Sequence, residues 1–177
     1  SPEQYEESLR RMRFKVYLMG QLVDNPVDHP MIRPSLNSVK STYALTGDPE
    51  SEELLTATSH LSGERINRFT HLHQSTEDLV RKVQMQRLLG QRTGSCFQRC
   101  VGMDAMNAVD SVTYEMDAKL GTDYHERFSK FLRMVQDEDL TVDGAMTDVK
   151  GDRNLAPHQQ TDPDLFVRVV EKNDRGI

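Results

Sequence analysis

Hydrophobic positions recur along most of the chain with the three-to-four-residue spacing of amphipathic helices. Two segments also carry strong start signals: Ser1-Pro2-Glu3-Gln4 joins a capping serine to a proline in the first turn, and acidic residues follow Ser75. We therefore predict a mainly α-helical fold. The predicted helices lie at about 1–12, 35–46, 75–89 and 96–120, with another from Thr122 or Asp123 onward and shorter pieces at 52–55 and 63–69.

The two helices near the middle of the chain each have an apolar face. In the helix at 96–120 the predicted buried stripe consists of Phe97, Val101, Ala105, Ala108, Val112 and Met116. In the next helix it consists of Tyr124, Phe128, Phe131, Leu132 and Val135. Because only a few residues connect these helices, we expect an antiparallel hairpin.

The remaining segments are not helical. Residues 14–23 have strand-like content, and three prolines keep residues 24–34 out of regular helix. After Asp139 glycines and prolines interrupt any helical period, residues 166–171 alternate like a strand, and residues 173–176 resemble a hairpin turn. We expect an N-terminal helical domain at 1–138 and the start of a β domain at 139–177. Because that hairpin would lack its second strand, we also expect the chain to be a fragment.

Charge and hydropathy narrow the class of protein. The formal net charge is -6, with 28 acidic and 22 basic residues, which disfavours a nucleic-acid binder. No apolar run approaches the roughly 18 residues of a membrane span, and the N-terminus lacks the apolar stretch of a secretory signal. The sequence thus predicts a cytoplasmic protein that binds neither nucleic acid nor membrane.

The only two cysteines, Cys96 and Cys100, stand four residues apart. On the predicted helix their Cβ atoms would be about 5–6 Å apart, wider than the roughly 3.5–4.5 Å of a disulfide. That gap leaves room for a metal or cluster, but such sites usually need four ligands and only two are visible. The spacing alone leaves open a second interpretation, in which two small buried side chains have no chemistry.

Two further segments contain candidate binding groups. His71 and His73 would face the same side of a strand as a metal pair, or would be solvated or capping residues in a loop. Residues 143–153, DGAMTDVKGDR, offer glycines, a hydroxyl, Lys150 and Arg153, which suit a phosphate of a nucleotide or of CoA. The segment matches no known phosphate-binding motif, so an ordinary surface loop is an equal alternative.

Several longer motifs together resemble a known family across almost the whole chain. They are VDHPMIRPS, INRFTHLHQS, KVQMQRLLGQRTGSCFQRCVGMDAMNAV, VDGAMTDVKGDR and DPDLFVRVVEK. In these motifs the sequence resembles the 4-hydroxybutyryl-CoA dehydratases, which form a superfamily with the 4-hydroxyphenylacetate 3-hydroxylases. The resemblance implies an N-terminal helical domain of the acyl-CoA-dehydrogenase-like fold.

The resemblance also implies cofactors and the residues that hold them. Cys96 and Cys100 would be the first two ligands of a [4Fe–4S] cluster, and a histidine and a third cysteine would come from a middle domain beyond Ile177. Gln98 matches a residue near the active site of the family. The segment that contacts FAD in the family corresponds to Gly144, Ala145, Met146, Thr147, Lys150, Gly151, Asp152 and Arg153.

The implied activity is the dehydration of 4-hydroxybutyryl-CoA to crotonyl-CoA through a ketyl-type radical, together with isomerisation of vinylacetyl-CoA. An acyl-CoA would be the substrate, and a homotetramer the assembly. One alternative is a flavin-dependent hydroxylase of the 4-hydroxyphenylacetate 3-hydroxylase type, which needs no cysteine pair. Another is a non-enzymatic helical module for binding or assembly, which would carry neither iron nor flavin.

Overall fold

A computed structural model describes residues 1–144, 151–162 and 169–173. The chain divides into two compact units, Ser1–Asp143 and Gly144–Ile177. The first unit is mainly helical, as predicted. In the described part of the chain, no helix has both the length and the apolar character needed to span a bilayer.

The N-terminal elements are a capped helix and a small hairpin. Helix α1, Pro2–Arg11, begins with the predicted capping box, in which the Ser1 hydroxyl accepts from the backbone N–H of Gln4. Strands β1, Val16–Leu18, and β2, Gln21–Val23, pair in antiparallel register. The segment predicted as one strand is therefore a hairpin, because the left-handed backbone at Met19 and Gly20 forms a tight turn.

The next region holds two helices and a second hairpin. Helix α2 spans Arg33–Thr46 and ends before Gly47, as predicted, and the short helix α3 spans Glu52–Leu55. Strands β3, Thr56–Thr58, and β4, Arg65–Asn67, are antiparallel, and a 3-10 turn, Arg68–Thr70, follows. The predicted helical piece at 63–69 is wrong, since Gly63 takes a left-handed conformation and the residues after it pair with β3.

Three longer helices complete the first unit. Helix α4, Thr76–Thr93, is capped by the Ser75 side chain as predicted, but it continues through Gly90 and ends at Gly94. Helix α5 spans Cys100–Leu120 and helix α6 spans Tyr124–Asp137. The three residues between them turn at Gly121, whose φ is 66°. The predicted α5–α6 hairpin is confirmed by close packing between these helices.

The core consists of two clusters of buried apolar side chains. One joins α3, the 3-10 turn, α4 and the start of α5, and consists of Leu55, Phe69, Met85, Leu89, Phe97 and Met103. The other joins α5 to α6 and consists of Leu72, Met106, Phe128, Leu132 and Val135. The predicted face of α6 is thus buried at its centre, whereas Tyr124 and Phe131 at its edges are exposed.

The predicted buried stripe of the helix at 96–120 is confirmed at Phe97, which precedes α5, and is wrong within α5. Ala105 and Ala108 are exposed and Val112 is 55% exposed, while Met103 and Met106 are buried. Met103 belongs to the first core cluster and Met106 to the second, because their long unbranched side chains fill the gaps towards α4 and α6. Size and reach, rather than periodicity alone, decide which face of α5 is buried.

The second unit contains one regular element among its described residues, the 3-10 turn Pro157–Gln159. Most of the predicted strand at 166–171 and of the turn at 173–176 lies outside the described residues. The domain boundary at 138/139 and the β domain stay predictions.

Candidate functional site

Both cysteines lie at the junction between α4 and α5, which we call the cysteine loop (residues 94–100). Gly94 ends α4 in a left-handed conformation with φ of 63°, and its N–H donates to the carbonyl of Gly90. The Ser95 hydroxyl lies 3.0 Å from the hydroxyl of Ser38 on α2. The loop is therefore fixed to two helices before it reaches the first cysteine.

Within the loop, two side chains point inward and leave the cysteines nearer the surface. Phe97 is buried against the ring of Phe69, with 5.7 Å between ring centroids. Arg99 is also buried, at 1% exposure. Cys96 is exposed and Cys100 is half-buried. These anchors hold both thiols at one end of the helical unit.

The expectation that both cysteines share one helix face is wrong. Helix α5 begins only at Cys100, and Gln98 has a left-handed φ of 67°. A residue other than glycine rarely takes this conformation, so the surrounding structure must impose it. The helical spacing argument for the two sulfurs therefore fails. The pair instead combines one thiol on a loop with one on the first residue of a helix.

The electrostatics of the loop favour the neutral thiol at Cys100. Burial raises the pKa of Cys100, and the nearby Cys96 raises it further, although the N–H groups of Val101 and Cys100 oppose the shift. No side chain caps the start of α5. A metal cation would reverse this balance, because a coordinated thiol loses its proton.

The donor chemistry of the loop suits a thiophilic metal or cluster only as half of a site. Two thiols at an accessible loop match the soft ligands that iron–sulfur clusters and zinc use. Among the described residues, however, no group of three or more histidine, cysteine and acidic side chains could hold a metal ion. The described residues therefore offer these two thiols alone, and a metal or cluster here would need further ligands from elsewhere.

Arg99 is a site residue that the sequence does not reveal. Its guanidinium carbon lies 4.5 Å from the ring centroid of Tyr43 and 4.7 Å from that of Phe69. One nitrogen donates to Thr42 Oγ1 at 3.1 Å and another to the carbonyl of Leu140 at 3.4 Å. An arginine is rarely buried so completely without such partners, and nothing in its local sequence announces them.

A short segment after α6, residues 139–142, packs onto the cysteine end of α5. Tyr43 Oη donates to the carbonyl of Asp139 at 2.9 Å and lies 2.8 Å from Thr141 Oγ1. At Gly102 a Cβ atom would lie only 1.9 Å from the carbonyl oxygen of Val142. A glycine inside a predicted helix was the one available sequence signal for this close approach.

His71 and His73 lie in extended backbone just before α4, where the Asn107 side chain holds them against α5. The N–H of His73 donates to Asn107 Oδ1 at 2.8 Å, and His71 Nε2 lies 3.2 Å from Asp78 Oδ1. Burial lowers the pKa of both imidazoles. Their ring centroids are 6.3 Å apart. His71 is buried and His73 half-buried in the helical unit, and the described residues give them no third metal ligand.

Only part of the predicted flavin segment can be located. Ala145, Met146, Thr147 and Lys150 lie outside the described residues. Gly151, Asp152 and Arg153 are exposed, and the Gln160 side chain closes the loop by accepting from the N–H of Asp152 at 2.9 Å. Arg153 is thus available to an anionic group, but the described residues form no flavin cradle by themselves.

Comparison with known proteins identifies relatives over the whole length. The chain is 62% identical over 175 residues to the 4-hydroxybutyryl-CoA dehydratase/vinylacetyl-CoA-Delta-isomerase of Clostridium aminobutyricum, which covers 99% of this chain and 36% of that protein. It is 28% identical to the oxygenase component of 4-hydroxyphenylacetate 3-monooxygenase from Thermus thermophilus, over 98% of this chain and 35% of the relative. The chain therefore spans about a third of the length of these relatives.

Solved structures agree with the sequence comparison. An oxygen-tolerant archaeal 4-hydroxybutyryl-CoA dehydratase from N. maritimus superimposes with a TM-score of 0.86 at 56% identity, covering 98% of this chain and 34% of that one. The oxygenase component of 4-hydroxyphenylacetate 3-monooxygenase, complexed with FAD and 4-hydroxyphenylacetate, gives a TM-score of 0.71 at 25% identity, over 99% and 36% of the chains.

The family profile described as 4-hydroxyphenylacetate 3-hydroxylase N terminal matches residues 1–177, which is the whole chain. The chain belongs to that family.

Proposed function

We propose that this chain is the N-terminal part of a hydroxyacyl-CoA dehydratase that uses a [4Fe–4S] cluster and FAD. Its reaction would convert 4-hydroxybutyryl-CoA to crotonyl-CoA, by the ketyl-radical route that the resemblance implies, and would isomerise vinylacetyl-CoA. The observation that carries the proposal is the 62% identity to an enzyme with that name. The cysteine loop supports it, because it carries two free thiols, one exposed and one half-buried, that a cluster could reach.

In this proposal Cys96 and Cys100 bind two irons as thiolates, and a further domain supplies the other ligands. Phe97 and Arg99 hold the loop from inside. Because burial raises the pKa of Cys100, iron binding has to displace a proton, and cluster loading should fall as the pH is lowered. Gln98 lies between the thiols, and its amide can both donate and accept a hydrogen bond to substrate.

When bound, the cluster would supply a Lewis acid for the leaving hydroxyl group, and the flavin would supply one-electron oxidation and reduction. The acyl-dehydrogenase-like fold of the full-length protein and a homotetrameric assembly belong to the same proposal. So do the flavin contacts of Gly144–Thr147 and Lys150–Arg153. Support for a flavin comes from the relative whose structure is complexed with FAD.

The test is the iron, sulfide and flavin content of the full-length polypeptide, purified without oxygen. We expect about four irons per chain together with FAD. Cys96→Ser and Cys100→Ser should each lose most of the iron and the dehydratase activity, while circular dichroism stays unchanged. Ser95→Ala is the matched control in the same loop: its hydroxyl lies near Ser38, and Thr93 bonds to its backbone, which the substitution keeps.

Three results would contradict all or part of the proposal. Flavin without iron in the unsubstituted protein would favour a hydroxylase, a function supported by the family match and by the 28% identical oxygenase. Neither iron nor flavin in the full-length protein would favour a non-enzymatic helical module. Full activity in Cys96→Ser would exclude an essential role for that thiol.

A further inference from the structure

Arg99 lies between Gln98, whose backbone is left-handed, and Cys100, a proposed cluster ligand. Its side chain points inward. Its side chain passes between the rings of Tyr43 and Phe69 into the interior. Because Arg99 immediately precedes Cys100, the contacts that hold its side chain also restrain the backbone where α5 begins.

The guanidinium joins three parts of the helical unit that are distant in sequence. It donates to Thr42 on α2, which is 57 residues away, and to the carbonyl of Leu140, which is 41 residues away. It also lies 3.6 Å from the carboxylate of Asp139. We call this set of contacts the arginine tie. The close packing of Gly102 on Val142 holds the same segment against α5 one turn later.

The tie is costly as a purely structural device. A buried arginine must be desolvated, and well-packed apolar residues often give equal or greater stability. Here Arg99 Nε has no hydrogen-bond partner among the described residues, so the guanidinium is incompletely compensated. Phe97 already anchors the loop by apolar packing. A second anchor with this cost in stability is expected where the direction of the loop and the spacing of its residues matter. The planar guanidinium fork of arginine fixes orientation in this way.

We propose that Arg99 is a positioning residue for the cysteine pair: it sets where Cys100 stands relative to Cys96 by tying the loop to α2 and to residues 139–142. The proposal rests on the proposed function where it concerns iron. Its geometric part, the relation between the two thiols, can be measured without any cofactor.

The experiment compares two buried arginines, each replaced by lysine in the full-length polypeptide. Arg68 is the matched control, because it is 3% exposed and also lies 3.6 Å from a carboxylate, that of Asp78, but its contacts stay near α3, β3 and α4. Lysine keeps the charge of Arg99 but cannot donate to Thr42 and Leu140 together. Thr42→Val is a milder variant that removes one partner and keeps the volume of the side chain.

The first measurement is alkylation of each cysteine by iodoacetamide in iron-free protein, followed by mass spectrometry. Cys96 is exposed and serves as the internal reference. In Arg99→Lys we expect the Cys100-to-Cys96 rate ratio to rise by about threefold or more, because Cys100 loses its half-buried position. Thr42→Val should shift the ratio in the same direction by less. Arg68→Lys should leave it unchanged even if its melting temperature falls.

The second measurement is iron per chain after anaerobic purification, with the electron paramagnetic resonance spectrum of the dithionite-reduced protein. Arg99→Lys should retain about half of the iron or less, with an altered spectrum, while Arg68→Lys matches the unsubstituted protein. Unchanged rate ratios in both Arg99→Lys and Thr42→Val would overturn the positioning role. If the unsubstituted protein carries no iron, the proposed function fails, whereas the rate ratio still decides the role of Arg99.

Discussion

Arg68 and Arg99 are buried in two regions of the same helical unit, and each lies 3.6 Å from a carboxylate. Around Arg68 the contacts are local: its side chain donates to the carbonyls of Leu54 and Thr56. Around Arg99 the partners come from distant segments, and Nε has none among the described residues. Among the described residues, Arg68 has no buried nitrogen without a hydrogen-bond partner, whereas Arg99 leaves Nε without one beside the cysteines.

The carboxylates beside the two arginines, Asp78 and Asp139, also differ in how well their hydrogen-bond partners compensate for burial. Asp78 accepts from the N–H of Gln74, from Ser75 and from His71. Burial pushes the pKa of Asp78 up, but these hydrogen bonds outweigh it and leave the pKa lowered. Burial raises the pKa of Asp139, and the opposing effect of Arg99 is smaller. Arg68 and Asp78 are therefore better compensated than Arg99 and Asp139, and a proposed functional loop can explain the cost at Arg99.

The largest effect is expected where the Arg99 region is most tightly packed. Gly102→Ala would place a Cβ atom 1.9 Å from the carbonyl oxygen of Val142, so residues 140–142 or α5 must move. We expect unfolding in urea to show a loss of about 3 kcal/mol, because overpacked sites rarely relax completely. Gly90→Ala is the control, since nothing lies within 4 Å of its Cβ position in helix α4.

Gly90→Ala should instead stabilise the protein by up to about 1 kcal/mol, through the better helix propensity of alanine. Equal effects of the two substitutions on the free energy of unfolding would mean that the 139–142 segment is not held against α5. The close contact between Gly102 and Val142 would then no longer distinguish the Arg99 region from the Arg68 region.

The second prediction uses the two carboxylates. Asp78→Asn removes charge-assisted hydrogen bonds from three partners and should cost about 2 kcal/mol. Asp139→Asn should cost little or nothing at neutral pH, because burial disfavours its ionised form and its nearest cation lies 3.6 Å away. Urea unfolding of both variants at neutral pH measures the difference.

The pH dependence of these variants should have opposite signs. A lowered pKa means that Asp78 stabilises the fold above its ordinary value of 3.8, and this contribution is lost as the pH falls through the lower folded pKa. A raised pKa means that the folded protein binds the Asp139 proton more tightly, so this contribution is present below 3.8 and is lost as the pH rises through the folded pKa. Asp78→Asn should flatten the acid side of the stability curve, and Asp139→Asn should flatten the change just above pH 3.8. If the free energy of unfolding changes with pH in the same way in both variants, the proposed difference between Asp78 and Asp139 is contradicted.

Local sequence signals predict the helix that carries Asp78, but not the strand that precedes Arg68. The cap at Ser75, the helix that follows it and the face of α6 were all predictable, because their patterns are set within a few residues. The hairpin β3–β4 was missed, since pairing between strands overrides weak helical propensity.

In the candidate site, the identity of the cysteines was predictable but their backbone was not. Arg99 finds its partners 41 and 57 residues away, and these contacts impose a loop where periodicity predicts a helix. The left-handed backbone at Gln98 could not be predicted from its residue type either, because glycine is the residue expected in that conformation. The roles of Cys96, Cys100 and Gln98 stay predictions that rest on the resemblance and await the iron and flavin measurements.

The smallest expected effect concerns how the two helices of these regions begin. The Ser75 hydroxyl accepts from the N–H of Asp78 at 3.2 Å, whereas no side chain caps α5. Ser75→Ala should therefore destabilise the protein by about 1 kcal/mol in urea unfolding. Ser95→Ala, in the cysteine loop before α5, should cost less, because its hydroxyl caps no helix. Equal losses would indicate that Ser95 contributes to the start of α5 after all. A clear difference would support an uncapped α5 whose first N–H groups remain available to a cysteine thiolate.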